Sequence, residues 1–303
     1  MLKRLLDSAK PSPAAPKNIH KAKHQPVKSN YESQPVDIPA DFLLDPPAPD
    51  VTIAPIDFKT TPIPEYAGRY AVIIDNVLSP DECATLIQLA ESSVAPAARG
   101  EGGAAWSPAM VNIGAGFEVL TPHYRNSDRI IWDNQELVDR LWARCLRAPG
   151  LGERLALIEG EEGITGKGRR TWLPPPTYKF ARVNERMRFL KYGKGQFFRP
   201  HTDAAFGETV DGKEFLTLFT IQLYLNDSQG AVGEGPDLIG GSTPFLSRDE
   251  SRRVDVHPKA GRALIFQHLG LLHSGDDVVE GTKYTMRTDI LYERIEQPEV
   301  DQQ

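Results

Sequence analysis

From Tyr178 onward the sequence is a series of short β-type runs, and this pattern constrains the fold more than any other feature. The runs are rich in β-branched and aromatic residues, and Gly, Pro and Asp separate them. Strands at short intervals with few helices favour a β-sandwich or barrel. The candidate strands are RMRFLKYG (186–193), FLTLFTIQLYLN (215–226), GSTPFLS (241–247), RRVDVHP (252–258), RALIFQH (262–268) and KYTMRTDILYER (283–294).

Upstream of this region the sequence predicts one strand, over 69–78, and two helices. Ser79 and Glu82 have the spacing of a capping box, which predicts a helix within 79–93. A second amphipathic pattern follows in 133–146. We expect both helices to pack on the sheet as a scaffold without a chemical role. The predicted class is therefore α+β, mainly β, with supporting N-terminal helices.

Residues 1–62 differ in composition from the rest of the chain. The first thirty are basic and Pro-rich, and 32–50 is acidic and Pro-rich. This composition predicts a disordered tail and linker, followed by one domain over 63–303 whose core covers about 178–293. The start of the chain lacks the apolar segment of a secretory signal, although MLKRLL resembles the start of a mitochondrial presequence. We expect a cytoplasmic or nuclear location, with the mitochondrion as the alternative.

Composition excludes several classes of protein. Hydrophobic residues make up 40% of the chain and charged residues 25%, which is typical of a soluble globular protein. The net charge of −6 argues against a nucleic-acid partner, and no apolar run approaches the ~18 residues of a membrane span. Cys83 and Cys145 lie in the helical patterns, so we expect buried free thiols and a reducing compartment.

A histidine and an aspartate lie two residues apart in FLKYGKGQFFRPHTD. On an extended segment His201 and Asp203 point the same way and can reach one ion. A third ligand would complete a 2-His-1-carboxylate triad, which binds ferrous iron and leaves coordination sites open. Without that ligand, a solvated strand end explains the pair as well. The candidates for the third ligand are His123, His257, His268 and His273, of which the last two both follow the same strand.

A basic residue near such an iron is what a dicarboxylate co-substrate requires. Lys283 lies ten positions after His273 and opens a run in which residues 283, 285, 287 and 289 share a face. One end of 2-oxoglutarate chelates iron, and the other carboxylate needs a charged partner. The alternative explanation for Lys283 and Arg287 is an exposed sheet edge protected by charge.

These residues resemble the prolyl 4-hydroxylase-type branch of the Fe(II)/2-oxoglutarate dioxygenases. The likeness covers roughly residues 70–293 and includes LKYGKGQFFRPHTD, TIQLYLND followed by GGSTPFL, PKAGRALIFQH and HSGDDVVEGTKY, in that order. It implies a double-stranded β-helix, or jelly roll. It also implies Fe(II), 2-oxoglutarate and O2 as cofactors, with ascorbate as a further candidate.

The resemblance assigns roles to individual residues. It implies that His201, Asp203 and His273 are the catalytic metal ligands, which selects His273 over His268. Lys283 would bind the distal carboxylate of 2-oxoglutarate, with Arg287 as the alternative, and would have to stay protonated in surroundings that are not dry. Tyr192 and Tyr224 would form hydrogen bonds in the same pocket.

The implied reaction is hydroxylation of an unactivated C–H bond, with release of succinate and CO2. The substrate would be an amino acid, a peptide or protein including prolyl residues, or a small molecule. Collagen is not expected, because the long segment 227–241 replaces a short turn and no peptide-binding domain is present. The expected substrate walls are 96–116, 123–132 and 204–215. Arg125 and Arg129 would either anchor an acidic substrate or form structural ion pairs.

Three other readings use the same residues. A binding protein could keep the jelly roll without catalysis, a nucleic-acid demethylase could use the same core, and a zinc hydrolase could use the same ligands. The acidic charge disfavours the demethylase, and no water-activating Glu accompanies the ligands as a zinc hydrolase needs. The oligomeric state is open.

Overall fold

The computed structural model describes residues 25–45, 49–114, 116–166 and 176–295. Within these residues the chain forms mainly short strands, with five α-helices and four single turns of 3-10 helix. The strands are β1 (Val27–Lys28), β2 (Thr52–Pro55), β3 (Ala71–Asp75), β4 (Ser107–Pro108), β5 (Val111–Gly114), β6 (Phe117–Val119), β7 (Arg125–Asn126), β8 (Asp128–Asp133), β9 (Leu157–Ile158), β10 (Thr177–Val183), β11 (Arg186–Tyr192), β12 (Phe197–His201), β13 (Gly207–Val210), β14 (Lys213–Tyr224), β15 (Ile239–Gly240), β16 (Thr243–Leu246), β17 (Arg253–Val256), β18 (Ala263–Gln267), β19 (His273–Gly275), β20 (Val278–Glu280) and β21 (Lys283–Ile295). The helices are α1 (Pro80–Ser92), α2 (Gln135–Cys145), α3 (Leu151–Ala156), α4 (Glu162–Thr165) and α5 (Gln229–Val232), and the 3-10 turns are Phe58–Thr60, Pro64–Tyr66, Pro96–Ala98 and Glu101–Gly103.

Two antiparallel sheets form the core. The larger sheet has eleven strands, in the order β2-β3-β18-β14-β21-β11-β8-β4 with β9, β10 and β13 attached. The smaller sheet has five strands, in the order β17-β16-β19-β12-β7. The prediction of a mainly β fold with a jelly-roll core and supporting helices is confirmed. Both sheets also use strands that precede residue 177, so the core is not confined to 178–293.

The long central strands of the larger sheet carry buried residues on both faces because both faces are covered. On one face, residues of α1 and α2 join a hydrophobic cluster with β14 and β21. On the other face, Phe245 of the smaller sheet packs with Tyr224, Leu264 and Phe266 of the larger sheet. This second cluster holds the two sheets together beside the strand ends that carry the histidines.

The helix starts follow the capping chemistry of the sequence. In α1 the Ser79 hydroxyl accepts a hydrogen bond from the Glu82 amide at 3.1 Å, and the Glu82 carboxylate accepts one from the Ser79 amide at 2.7 Å. The cap of α2 is Asn134, whose side chain accepts a hydrogen bond from the Leu137 amide at 2.8 Å. Asp133 instead ends β8.

The described part of residues 25–62 is folded onto the domain, which corrects the prediction of a disordered linker there. β1 pairs with β6, and β2 pairs with β3 at the edge of the larger sheet. A few apolar residues of this segment are buried in the core. The average composition of the segment does not reveal them, because most of its other residues are polar or proline. The buried ones are Phe42, Leu43, Val51 and Phe58. Residues 1–24 lie outside the described residues.

Both cysteines are buried free thiols, as predicted. Burial raises the pKa of Cys83 and of Cys145 to about 12, so neither is a nucleophile near neutral pH. In the described part of the chain, no helix combines the length and apolar character needed to cross a membrane.

Candidate active site

The two sheet strands β12 and β19 bring the three predicted metal ligands together. His201 ends β12 and His273 begins β19, and the two residues are paired in the antiparallel register. Asp203 follows two residues after His201. Its Oδ1 lies 3.8 Å from Nε2 of His201, and its Oδ2 lies 3.8 Å from Nε2 of His273. One potential ligand atom from each residue lies within 4.8 Å of the others. This is the arrangement that a single metal ion requires.

Backbone carbonyls set the tautomer of both histidines. Nδ1 of His201 lies 2.8 Å from the Arg199 carbonyl oxygen, and Nδ1 of His273 lies 3.1 Å from that of Leu271. A carbonyl oxygen only accepts hydrogen bonds, so each Nδ1 must donate and each Nε2 keeps a free lone pair. Burial and the neighbouring histidine lower the pKa of His201 to about 3, and burial lowers the pKa of His273. Both imidazoles are therefore in the neutral, metal-binding form.

Asp203 is buried and ionised, and each of its oxygens has one fixed partner. The Thr220 hydroxyl donates to Oδ2 at 2.6 Å, and the Arg287 guanidinium lies 3.2 Å from Oδ1. Burial raises the pKa of Asp203, but Arg287 and the three nearby histidines outweigh burial and lower it below its usual range. Each carboxylate oxygen thus keeps lone pairs for a metal while its orientation is held.

Arg287, the alternative co-substrate anchor, is engaged by two carboxylates. Its guanidinium forms ion pairs with Asp203 and, at 3.0 Å, with Asp289, which also pairs with Arg188 at 3.0 Å. His268 is next to Asp289, with its Nε2 3.5 Å from the Asp289 carboxylate. His268 therefore lies outside the group formed by His201, Asp203 and His273, and Arg287 holds the Asp203 carboxylate in position.

Lys283 lies in a buried pocket with two tyrosines, as the resemblance implies. Its side chain is 1% exposed, and its Nζ is 5.3 Å from the ring centre of Tyr192 and 5.8 Å from that of Tyr224. No carboxylate among the described residues forms an ion pair with Lys283. Burial lowers its pKa from 10.5 to about 8. The expectation that its surroundings are not dry is therefore wrong, and the ammonium pays a desolvation cost in the protein alone.

The polar groups beside Lys283 have the chemistry to bind one end of a dicarboxylate. The buried Tyr224 hydroxyl has no hydrogen-bond partner among the described residues, and burial raises its pKa. A carboxylate would supply both the missing acceptor and the counter-charge for Lys283. Gly241 approaches the pocket closely, because a Cβ there would lie 3.2 Å from Cδ of Lys283.

The residues predicted for the substrate walls divide into structural and unpaired ones. Arg129 forms a buried 3.0 Å ion pair with Glu118, and the Tyr31 hydroxyl bonds to both, so Arg129 is structural. Trp132 is buried against the Phe189 ring. Arg125, in contrast, has no ion pair among the described residues.

Sequence reasoning missed Thr220, Asp289 and Arg188. Each is a polar residue inside a strand that is otherwise largely apolar and buried. A buried polar side chain needs a partner, so such positions signal a buried network. The sequence does not say which partner each side chain finds, because the strands are distant in the chain.

Comparison with known proteins gives a family match over part of the chain and several distant structural similarities. Residues 187–288 match the model of the 2OG-Fe(II) oxygenase superfamily, a span that contains the three ligands and Lys283. No curated protein sequence matches the chain. Three solved structures are similar to this chain. A viral collagen prolyl hydroxylase from Paramecium bursaria Chlorella virus-1 is 21% identical, with 74% of this chain and 97% of that chain covered and a TM-score of 0.42. A prolyl-4-hydroxylase from Pseudomonas putida is 16% identical, with 79% of this chain and 96% of that chain covered and a TM-score of 0.43. A prolyl hydroxylase from Trichoplax adhaerens, in complex with a hypoxia inducible factor peptide, is 16% identical, with 78% of this chain and 86% of that chain covered and a TM-score of 0.42.

Proposed function

We propose that this chain, a member of the 2OG-Fe(II) oxygenase superfamily, hydroxylates a C–H bond of an amino acid or a peptide. The enzyme uses Fe(II), 2-oxoglutarate and O2. The amino-acid or peptide substrate is the class that the resemblance to prolyl 4-hydroxylases implies, and a prolyl residue is the narrowest form of the proposal.

His201, Asp203 and His273 would hold the iron. The observation that carries this assignment is the pair of Nδ1 hydrogen bonds to backbone carbonyls, which leaves both Nε2 lone pairs free beside a buried carboxylate. Two neutral imidazoles and one carboxylate suit Fe(II) and leave coordination positions for further ligands. When bound, the iron and 2-oxoglutarate supply the oxidation: one atom of O2 enters the substrate and the other enters succinate, with loss of CO2.

Lys283 and the Tyr224 hydroxyl would bind the distal carboxylate of 2-oxoglutarate. The ammonium group is 5.8 Å from the Tyr224 ring centre, and Lys283 forms no ion pair with a described carboxylate although Asp276 interacts with it at longer range. The buried Tyr224 hydroxyl has no hydrogen-bond partner among the described residues. In a pocket of low dielectric, a charged partner strengthens binding and also offsets the desolvation of Lys283. The Tyr192 ring lies beside the same ammonium group, with its centre 5.3 Å from Nζ of Lys283.

The remaining residues of the site hold these groups in place. Thr220 and Arg287 fix the orientation of Asp203, and Asp289 fixes Arg287. Burial of this network keeps bulk water away from the carboxylate. The protein therefore contributes positioning and electrostatics, which decide the carbon that is oxidised.

The test is succinate formation from 2-oxoglutarate, with a mass-spectrometric screen of amino acids and peptides for a gain of about 16 mass units, one oxygen atom. We expect succinate formation to require Fe(II) and to be lost in His273→Ala. His257→Ala is the matched control, because His257 lies outside both the triad and the expected substrate walls, and should keep full activity. Succinate formation that survives chelation of iron, or survives His273→Ala, would contradict the proposal.

A further inference from the structure

Arg125 lies next to the candidate metal site and lacks the partner that its position calls for. Its Cζ is 4.6 Å from the ring centre of Phe198, and that ring stacks on His201 with 3.8 Å between ring centres. Nη1 donates to the Met110 carbonyl at 3.3 Å. The buried Nε has no partner, and among the described residues the bond from Nη1 is the only hydrogen bond of this guanidinium. The Nε–Nη2 edge of the guanidinium is therefore free.

Other arginines near this site are paired. Arg129 forms its ion pair with Glu118, and Arg199 forms one with Asp277 at 2.8 Å. Burial, reinforced by the neighbouring arginines, lowers the pKa of Arg125 to about 10. A buried cation without a counter-charge costs stability, and such a cost is typical of a position that a ligand completes.

The candidate site as a whole has more positively than negatively charged side chains. Three arginines of the candidate site, Arg125, Arg188 and Arg287, lie close enough to interact, whereas Lys283 interacts with Asp276. Only two described carboxylates form ion pairs with these arginines. The carboxylates are those of Asp203 and Asp289. Fe(II) and 2-oxoglutarate carry opposite charges of equal size, so binding both leaves the excess of one positive charge unchanged. An anionic substrate would reduce that excess.

We infer that the substrate carries a carboxylate and that the free Nε–Nη2 edge of Arg125 binds it. This inference rests on the proposed function and adds the chemical class of the substrate. A guanidinium edge with two parallel N–H groups matches the two oxygens of a carboxylate. The carboxylate belongs either to a free amino acid or peptide terminus, or to an acidic side chain.

The experiment measures binding of matched probes to the protein loaded anaerobically with Fe(II) and 2-oxoglutarate. The first set is a series of N-acetyl amino acids, each as the free acid and as the primary amide. The second set is a series of terminally blocked peptides that contain Glu or Gln at one position. Isothermal calorimetry gives the affinity, and mass spectrometry after admission of O2 gives the hydroxylation.

We expect the acid member of at least one set to bind about tenfold or more tightly than its neutral partner, because a hydrogen bond to a charged group is worth that much. The set that shows the preference identifies the source of the carboxylate. In Arg125→Gln the acid-to-neutral ratio should fall to near one, while Arg125→Lys should keep part of it. Arg294→Gln, a surface arginine at the far end of β21 that pairs with Glu214, should leave the ratio unchanged.

Three outcomes would overturn the inference. The first is that neutral probes bind as well as acids, or that no acid binds. The second is that the preference for acids survives in Arg125→Gln. The third is that Arg125→Gln mainly raises the KM for 2-oxoglutarate. The proposed function fails separately, when the wild-type protein with Fe(II) and O2 forms no succinate from 2-oxoglutarate either alone or with any member of the amino-acid and peptide screen.

Discussion

Replacing Lys283 by Met should stabilise the protein alone while weakening its use of 2-oxoglutarate. The buried ammonium has a pKa of about 8 in place of 10.5. A difference of one pKa unit corresponds to about 1.4 kcal/mol, so keeping this charge in the folded protein costs about 3 kcal/mol at neutral pH. Met has a similar length, is flexible and needs no counter-charge, so it should fill the space without that cost.

The pH dependence of stability follows from the same two pKa values. Below about pH 8 the lysine is charged in both the folded and the unfolded states, so the full cost is present. Between about pH 8 and 10.5 the unfolded chain binds more protons than the folded protein, so the stability of the wild type rises with pH. The advantage of Lys283→Met in free energy of unfolding should therefore shrink over this range and vanish above it.

Urea unfolding of the metal-free protein at pH 7 and at several higher pH values measures this difference. Lys194→Met is the control, because Lys194 is 74% exposed and makes only a 3.8 Å ion pair with Glu280. That variant should change stability by less than about 0.5 kcal/mol at every pH. A Lys283→Met protein that is less stable than the wild type at pH 7, or whose difference from it does not depend on pH, would refute the reasoning.

The effect on 2-oxoglutarate should be opposite in sign. Loss of a charge-assisted contact of about 1.5–3 kcal/mol raises the KM for 2-oxoglutarate by about 10- to 150-fold in Lys283→Met. Succinate formation over a range of 2-oxoglutarate concentrations measures this KM. An unchanged KM would mean that another cation holds the distal carboxylate.

Three further variants test neighbouring parts of the structure. Thr220→Val keeps the shape of the side chain but removes the hydrogen bond to Asp203, so iron affinity should fall by about 10- to 100-fold in a metal titration; an unchanged affinity would contradict the positioning role. Gly241→Ala should lower the free energy of unfolding by about 1–2 kcal/mol in urea, because φ is 67° there and the new Cβ would crowd Lys283; full stability would show that the turn relaxes. Tyr31→Phe removes the hydroxyl that bridges a buried ion pair and should speed hydrogen exchange in β1, with a stability loss of about 1–3 kcal/mol; unchanged exchange would show that β1 is held by other contacts.

Local sequence patterns were sufficient for several features because the groups involved are close in the chain. The capping box of α1 lies within four residues and forms as predicted. The two-residue spacing of His201 and Asp203 directs both toward one point on an extended segment. The choice of His273 over His268 came from the resemblance, and the structure places His273, not His268, beside Asp203.

Tertiary structure alone decided which charges meet. Arg125 and Arg129 lie four residues apart in one segment, yet one is paired with Glu118 and the other is not paired with any described carboxylate. Arg287 and Lys283 lie on one strand, yet only Arg287 reaches Asp203. Residues of the expected linker, among them Phe42 and Phe58, entered the core. Spacing along a chain sets the direction of a side chain, whereas packing between distant strands sets its partner, its solvation and hence its charge state.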